Sequence, residues 1–243
     1  MAERTRRNVP AEELETLHRQ LAFRYPHKAA TLAPSKQTAT DRKGREKDAE
    51  AAEDTPPARL PARHWRQPSF RENRPEGTAY GTAIHLALQY IRYENCGSLL
   101  EVEQEIRRLV QRGFLTEEQG RMVDGQKIAH FFATELGKKL RSGTTYLREF
   151  KFSILDDGRF YGPGLEGEQV LLQGVVDCAL IDEDGITVLD FKTDRVTEQT
   201  VSQAVDRYRP QVEAYAHALG RIFEKKVQRK LLYFFRLERF EEL

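Results

Sequence analysis

Two aspartates and a lysine stand in otherwise apolar surroundings in the stretch from Gly174 to Lys192, GVVDCALIDEDGITVLDFK. The two apolar runs flank Asp182-Glu183-Asp184-Gly185, a β-hairpin signal with Asp-Gly in its loop. If Asp182 faces Gly185 across the turn, Asp177 lies opposite Asp190. If the turn is a tight Asp184-Gly185, Asp177 moves opposite Lys192. Either register leaves Asp177, Asp190 and Lys192 on one face, because strand side chains alternate with period two. Cross-strand neighbours sit roughly 5 Å apart at Cβ. One aspartate at a strand end commonly does no more than accept backbone hydrogen bonds. Three charged groups on a buried face are another matter, since unpaired buried charge is costly. A hard divalent cation relieves that cost with oxygen ligands, and Mg²⁺ or Mn²⁺ suits them. A lysine beside such an ion can hold a water or a phosphate oxygen. The chemistry indicated is metal-dependent phosphodiester hydrolysis.

The elements that must position this hairpin are legible on both sides of it. GTAYGTAIHLALQYIRYE (77–94) reads as a helix with Ile84, Leu88 and Ile91 on one apolar face and His85 at its margin. A second amphipathic helix spans 100–115. A third region opens at Thr116, the N-cap, with Gln119 as capping-box partner, and continues through Phe131, Phe132 and Leu136 to Gly137. The segment 144–155 alternates as a strand, with Tyr146, Arg148, Phe150, Phe152 and Ile154 on one side and Leu147, Glu149, Lys151 and Ser153 on the other. A glycine-rich loop (156–167) precedes the hairpin. After it come a short helix from Thr197 and a second one that starts with Pro210 at its first position, because proline fits badly inside a helix. Gln211 and Tyr215 share a face of that second helix at i and i+4. A buried strand at 230–237 closes the chain. The expected fold is α/β with a mixed central sheet flanked by helices.

The front of the chain differs in kind. Residues 11–25 form a short amphipathic helix with Leu14, Leu17 and Leu21 in line. From Pro34 to Arg59 there is no Val, Ile, Leu, Met or aromatic residue, so no core can form there. The expected division is a helix and connector (1–33), a flexible linker (34–62) and one domain (63–243). Charged residues make up 32% of the 243 and leave a net charge of +1, so any nucleic-acid surface must be local. Two cysteines, Cys96 and Cys178, are too few for a four-cysteine zinc or iron–sulfur site. With no signal peptide and no span of membrane length, a cytoplasmic protein without membrane contact is the expectation.

Gly174-Val175-Val176-Asp177 followed by Asp190-Phe191-Lys192 resembles the two core motifs of the PD-(D/E)xK nucleases. Gly81-Thr82-Ala83-Ile84-His85 resembles the extra histidine motif of their RecB-type subgroup, and Gln211-Val212-Glu213-Ala214-Tyr215 its QxxxY motif. Tyr25–Thr31, Ser35-Lys36, Arg148–Phe150 and the central hairpin are similar to AddA-type helicase–nucleases. The resemblance runs from about Leu14 onward and thins over 36–64. It implies a restriction-endonuclease-like core in which Asp177 and Asp190 are metal ligands and the Phe191 carbonyl completes the shell. His85 would be a further ligand, and Lys192 would activate water. Gln211 and Tyr215 would position DNA or brace the site, with plain packing of a helix face as the rival role. Glu149 belongs with the DNA-positioning group and could add a carboxylate, unless it is only a surface residue. Arg148, Lys151, Arg195, Arg207 and Arg209 are candidates for phosphate contacts. The implied cofactor is Mg²⁺, with Mn²⁺ able to substitute. The implied partners are single-stranded DNA from unwound duplex ends and an AddB-like helicase–nuclease chain. No GxxxxGK[ST] occurs, so the expectation is the nuclease portion without its motor. The alternative is a DNA-end or partner-binding module that retains the fold without catalysis.

Overall fold

Six strands form one mixed sheet, whose two faces are covered by helices. The structure is a computed structural model that describes residues 10–23, 31, 35–39 and 76–243. It divides into two compact units, one of Met1–Ser35 with Leu155–Val170, the other of Lys36–Ile154 with Leu171–Leu243. In the first, α1 (Ala11–Leu21) has acidic Glu12 and Glu13 in its first turn and no buried residue. Its apolar stripe of Leu14, Leu17 and Leu21 is exposed. In the loop of that unit, Gly158 N–H donates to the Glu168 carbonyl at 2.8 Å. The Tyr161 hydroxyl donates to buried Asp156 at 3.0 Å.

The second unit holds the sheet. Strand β1 (Lys36–Thr38) runs parallel to β3 (Gln169–Ile181), so residues 36–38 of the expected linker are strand; most of that linker lies outside the described residues. Strand β4 (Ile186–Lys192) pairs antiparallel with β3 and parallel with β5 (Val227–Phe234). A short edge strand, β6 (Arg239–Glu242), not foreseen from the sequence, pairs with β5. Strand β2 (Tyr146–Asp157) pairs with β3.

One face of the sheet is covered by a helical layer. Helix α2 (Glu76–Tyr90) buries Ile84 and Leu88, and Ile91 just beyond its end, against Cys178, Leu180, Leu189 and Phe191. Helix α3 (Leu99–Gln111) begins in a capping box between Ser98 and Glu101, worth about 1 kcal/mol. The region expected to run on from Thr116 is three helices: α4 (Glu117–Met122), α5 (Gly125–Ala133) and α6 (Glu135–Arg141). Thr116 and Gln119 do form the expected capping box. New N-caps at Asp124 and Thr134 restart the helix twice, their side chains taking backbone N–H groups that a continuous helix would bond internally. Phe131, Phe132, Tyr233 and Phe235 fill the centre of this layer.

Helix α7 (Val201–Phe223) covers the other face, where Tyr208 meets Phe234. It is one helix, not the two expected, and Pro210 lies inside it. An interior proline costs about 3 kcal/mol. Val205 and Tyr208 before it, and Val212, Tyr215 and Leu219 after it, are all buried. Burial at roughly 1.5–3 kcal/mol per large side chain outweighs the lost bond. The partner that proline deprives, Asp206, sits on the exposed face.

Candidate active site

The hairpin adopts the first of the two registers open to it. Cys178 pairs with Leu189 and Ile181 with Ile186, and the same register carried on places Asp177 alongside Asp190. The turn closes through Asp182 N–H to the Gly185 carbonyl at 3.0 Å, and Gly185 N–H bonds the Asp182 carboxylate at 3.1 Å. On the other side of β3, Ile181 N–H donates to the Thr145 carbonyl, and the Gln173 amide donates to the Ser153 hydroxyl. Between these two contacts Glu149 comes beside Asp177, with donor atoms within 4.8 Å. Glu149, Asp177 and Asp190 therefore form a row across three neighbouring strands.

Glu149 reaches this row through a local distortion. Its φ is 46°, in the left-handed region where a residue with a Cβ is strained by about 1–3 kcal/mol. The distortion resets the alternation of β2. Arg148 lies over the Tyr93 ring at 4.4 Å, in the helical layer. Phe150 and Phe152, expected on the same side as Arg148, instead reach Phe223 and Tyr215 of α7, beyond the opposite face. That expectation of unbroken alternation is corrected here: one residue out of phase moves every later side chain to the other face.

His85 arrives from α2, and its Nδ1 lies 3.6 Å from Asp177 Oδ2. Donor atoms of His85, Glu149 and Asp177 all fall within 4.8 Å of one another. Asp177 Oδ2 also accepts the Phe191 N–H at 2.8 Å, while the Phe191 ring packs in the helical layer. Asp190 is 1% exposed. Its Oδ2 lies 2.5 Å from the Lys192 ammonium. Lys192 is held by the Gln211 Oε1 at 3.3 Å and by the Tyr208 ring face at 3.8 Å. Gln211 Nε2 donates in turn to the Tyr215 hydroxyl at 2.7 Å, which fixes the amide with its oxygen toward the lysine. Gly174 admits this arrangement: a Cβ there would meet the Phe152 ring at 2.7 Å and the Tyr215 ring at 3.1 Å.

The electrostatics follow from three carboxylates facing one ammonium. Burial, then the charge of Asp190, hold Asp177 well above the usual carboxylate range, against the lowering pull of Lys192 and the Phe191 N–H. Burial and Asp190 also raise Glu149. Burial lowers His85 below its ordinary value, favouring the neutral imidazole that a metal needs. The crowded carboxylate oxygens and the imidazole of His85, Glu149 and Asp177 together match the ligand set of a hard divalent cation.

The expected residues fall into distinct groups. His85, Asp177, Asp190, Phe191 and Lys192 converge, and Gln211 and Tyr215 stand behind Lys192. Glu149 points toward His85 and Asp177, whose donor atoms lie within 4.8 Å of its own. Arg148 is committed to the Leu88 and Ile91 carbonyls at 3.3 and 2.5 Å and to Tyr93, which removes it from the phosphate contacts. Arg207 pairs with Asp194 at 3.2 Å and Arg209 with Asp206 at 3.7 Å. Lys151 and Arg195 are exposed. Tyr208 was missed, and its hydroxyl is anchored on Asp194. It lies three residues before Gln211 and so on the same helix face; starting a new helix at Pro210 separated the two.

The sequence pattern of the PD-(D/E)XK nuclease superfamily matches residues 58–242. An ATP-dependent helicase/nuclease protein of Desulforudis audaxviator (strain MP104C) is 33% identical over 225 residues, 90% of this chain and 18% of that protein. The protein of the same name from Thermoanaerobacter sp. (strain X514) is 34% identical over 93% of this chain and 19% of its own length. In Bacillus mycoides (strain KBAB4) the figures are 31%, 96% and 20%. The chain thus spans about a fifth of the length of these relatives.

Proposed function

This chain belongs to the PD-(D/E)XK nuclease superfamily, and from that premise we propose that it is a metal-dependent deoxyribonuclease domain. The observation that carries the reading is the row Glu149–Asp177–Asp190 closed by His85 at one end and Lys192 at the other. Asp177, Asp190 and His85 would hold Mg²⁺, with Mn²⁺ as a substitute, and the Phe191 carbonyl and the Glu149 carboxylate would add oxygen donors. The bound cation supplies positive charge at the phosphate oxygens and lowers the pKa of a water. Lys192 would orient the attacking water and offset the charge that builds on the phosphate as the phosphorus–oxygen bond breaks. Gln211 and Tyr215 keep the ammonium aimed, and Tyr208 supports it from below. The substrate is a single DNA strand, cut from an end. The relatives' name joins a helicase and a nuclease in one protein. The strand is accordingly one unwound by such a motor, and the partner is an AddB-like chain.

The test is linear single-stranded DNA with purified protein in Mg²⁺ or Mn²⁺ against chelator. Cleavage is expected with metal only, and is expected to vanish in Asp190→Ala and Lys192→Ala. Metal-dependent cleavage that persists unchanged in those variants would sink the site assignment. DNA binding without cleavage in any metal would instead favour a non-catalytic binding module.

A further inference from the structure

Next to the site is a cavity of about 440 Å³ lined by Tyr80, Met122, Lys127, Thr193, Arg195 and Arg236. Two segments join it to the carboxylate row. Thr193 directly follows Lys192 and Arg195 comes two residues later, and Tyr80 lies five residues before His85 on α2, roughly 7.5 Å along the helix axis. The two segments touch, since a Cβ on Gly81 would come within 2.7 Å of Thr193 Oγ1.

The charges of this cavity are unspent. Arg195 and Arg236 are exposed, and neither has an ion pair or side-chain hydrogen bond among the described residues. Lys127 is steadied by the Phe235 carbonyl at 3.1 Å. The acidic member of the lining, Asp124, caps α5 by accepting the Gln126 and Lys127 N–H groups at 3.0 and 3.4 Å. A larger cavity of about 710 Å³ at the turn end of the hairpin is different. There Lys138, Lys139 and Arg229 are neutralised by Glu135, Asp182 and Glu242.

We propose that the smaller cavity is a nucleotide subsite for the strand being cut. Arg195 and Arg236 bind a backbone phosphate beside the scissile one, and Tyr80 and Met122 receive the adjoining base. Unpaired guanidinium groups suit phosphate, and a half-buried aromatic ring offers the stacking platform that single strands use without regard to sequence. This inference rests on the nuclease reading, and the experiment separates the two. Oligonucleotide binding is measured against salt for wild type, Arg195→Gln, Arg236→Gln, their double variant, and Lys226→Gln. Lys226 is exposed at the turn end of the hairpin and serves as a charge-matched control. Each phosphate contact on a single strand contributes about 0.7 to the slope of log K against log salt. The double variant, which loses that one phosphate contact, should therefore lose about 0.7 of slope, each single variant a part of it, and Lys226→Gln none. Turnover of bis(4-nitrophenyl) phosphate, too short to reach the cavity, should be unchanged in the double variant, while KM for a long oligonucleotide rises at least tenfold. An unchanged slope in the double variant overturns the subsite. Equal loss on the short and long substrates overturns it too, since the arginines would then act on the reacting centre. Failure of the wild type to cut either substrate overturns the nuclease reading, while the salt slopes still report on the cavity.

Discussion

Two buried carboxylate clusters in this molecule are built in opposite ways. Glu105 on α3 is 3% exposed and is met by cations: Arg92 Nη2 at 2.5 Å, Arg108 Nη2 at 2.7 Å, the Arg92 N–H at 3.0 Å and the Asn95 amide at 3.4 Å. Burial pushes its carboxyl up, yet the hydrogen bonds from Arg92, Arg108 and Asn95 prevail and bring it down to about 2. In the row around Asp177 the count is reversed, with three carboxylates to one lysine, and the carboxyl rises instead. The first cluster is complete in itself and ties α3 to the end of α2. The second leaves negative charge for something else to neutralise. A fold retains such a deficit where a cation or substrate makes it good, and the difference separates a structural charge cluster from a functional one.

The comparison breaks most visibly at Asp177. Asp177→Asn should reduce metal-dependent cleavage by about a thousandfold. Removing one of the crowded charges should leave melting temperature in chelator unchanged or raised, and abolish the rise that Mg²⁺ gives the wild type. A loss of stability in chelator would mean that the row is structural, like the Glu105 cluster. Lys192→Met should lower kcat by about 10²–10³-fold with DNA binding largely retained, as single-turnover kinetics and anisotropy would show. A parallel collapse of binding would assign Lys192 to substrate docking.

Glu105→Ala should show the opposite profile. It leaves two arginines without their partner, at a cost of about 2–3 kcal/mol read from denaturant unfolding, with cleavage per folded molecule unchanged. The same residue carries a pH signature. A carboxyl lowered from 4.5 to about 2 contributes stability that is fully present above the higher value and is lost as pH falls through the lower. Wild type should accordingly lose more stability than Glu105→Gln between about pH 4.5 and 2, and superimposable acid-unfolding curves would contradict this. The smallest effect expected is at Tyr208. Tyr208→Phe keeps the ring under Lys192 and should cost only a few-fold in kcat, whereas Tyr208→Leu removes the cation–π support, worth about 0.5–2 kcal/mol, and should cost more. Equal losses would shift the weight to the hydroxyl on Asp194.

Much of this was legible in the sequence because it depends on short-range rules. The hairpin, the capping box at Thr116, the placing of Ile84, Leu88 and His85 on α2, and the order of the four motifs follow from periodicity, turn chemistry and spacing. What was misread involves a local preference overruled at a distance. Pro210 argues for a helix start, but buried side chains on both sides of it hold α7 in one piece, and with it Tyr208 on the same face as Gln211. Residues 144–155 alternate cleanly on paper, but a positive φ at Glu149 sends the second half of β2 to the other face. Nothing in the residue types announces that inversion, which sits at the one non-glycine residue of β2 with a positive φ.

The sequence by itself determined which groups could do chemistry and that Asp177, Asp190 and Lys192 share a face, because period two admits no other outcome in a hairpin. Only the tertiary structure decided that Asp177 stands beside Asp190 rather than Lys192, since the choice rests on which turn closes. It decided too that Glu149 joins the donors while Arg148, its neighbour, is consumed in packing. Strand pairing and burial act between residues far apart in the chain, and the balance of charge at the site exists only once they are brought together.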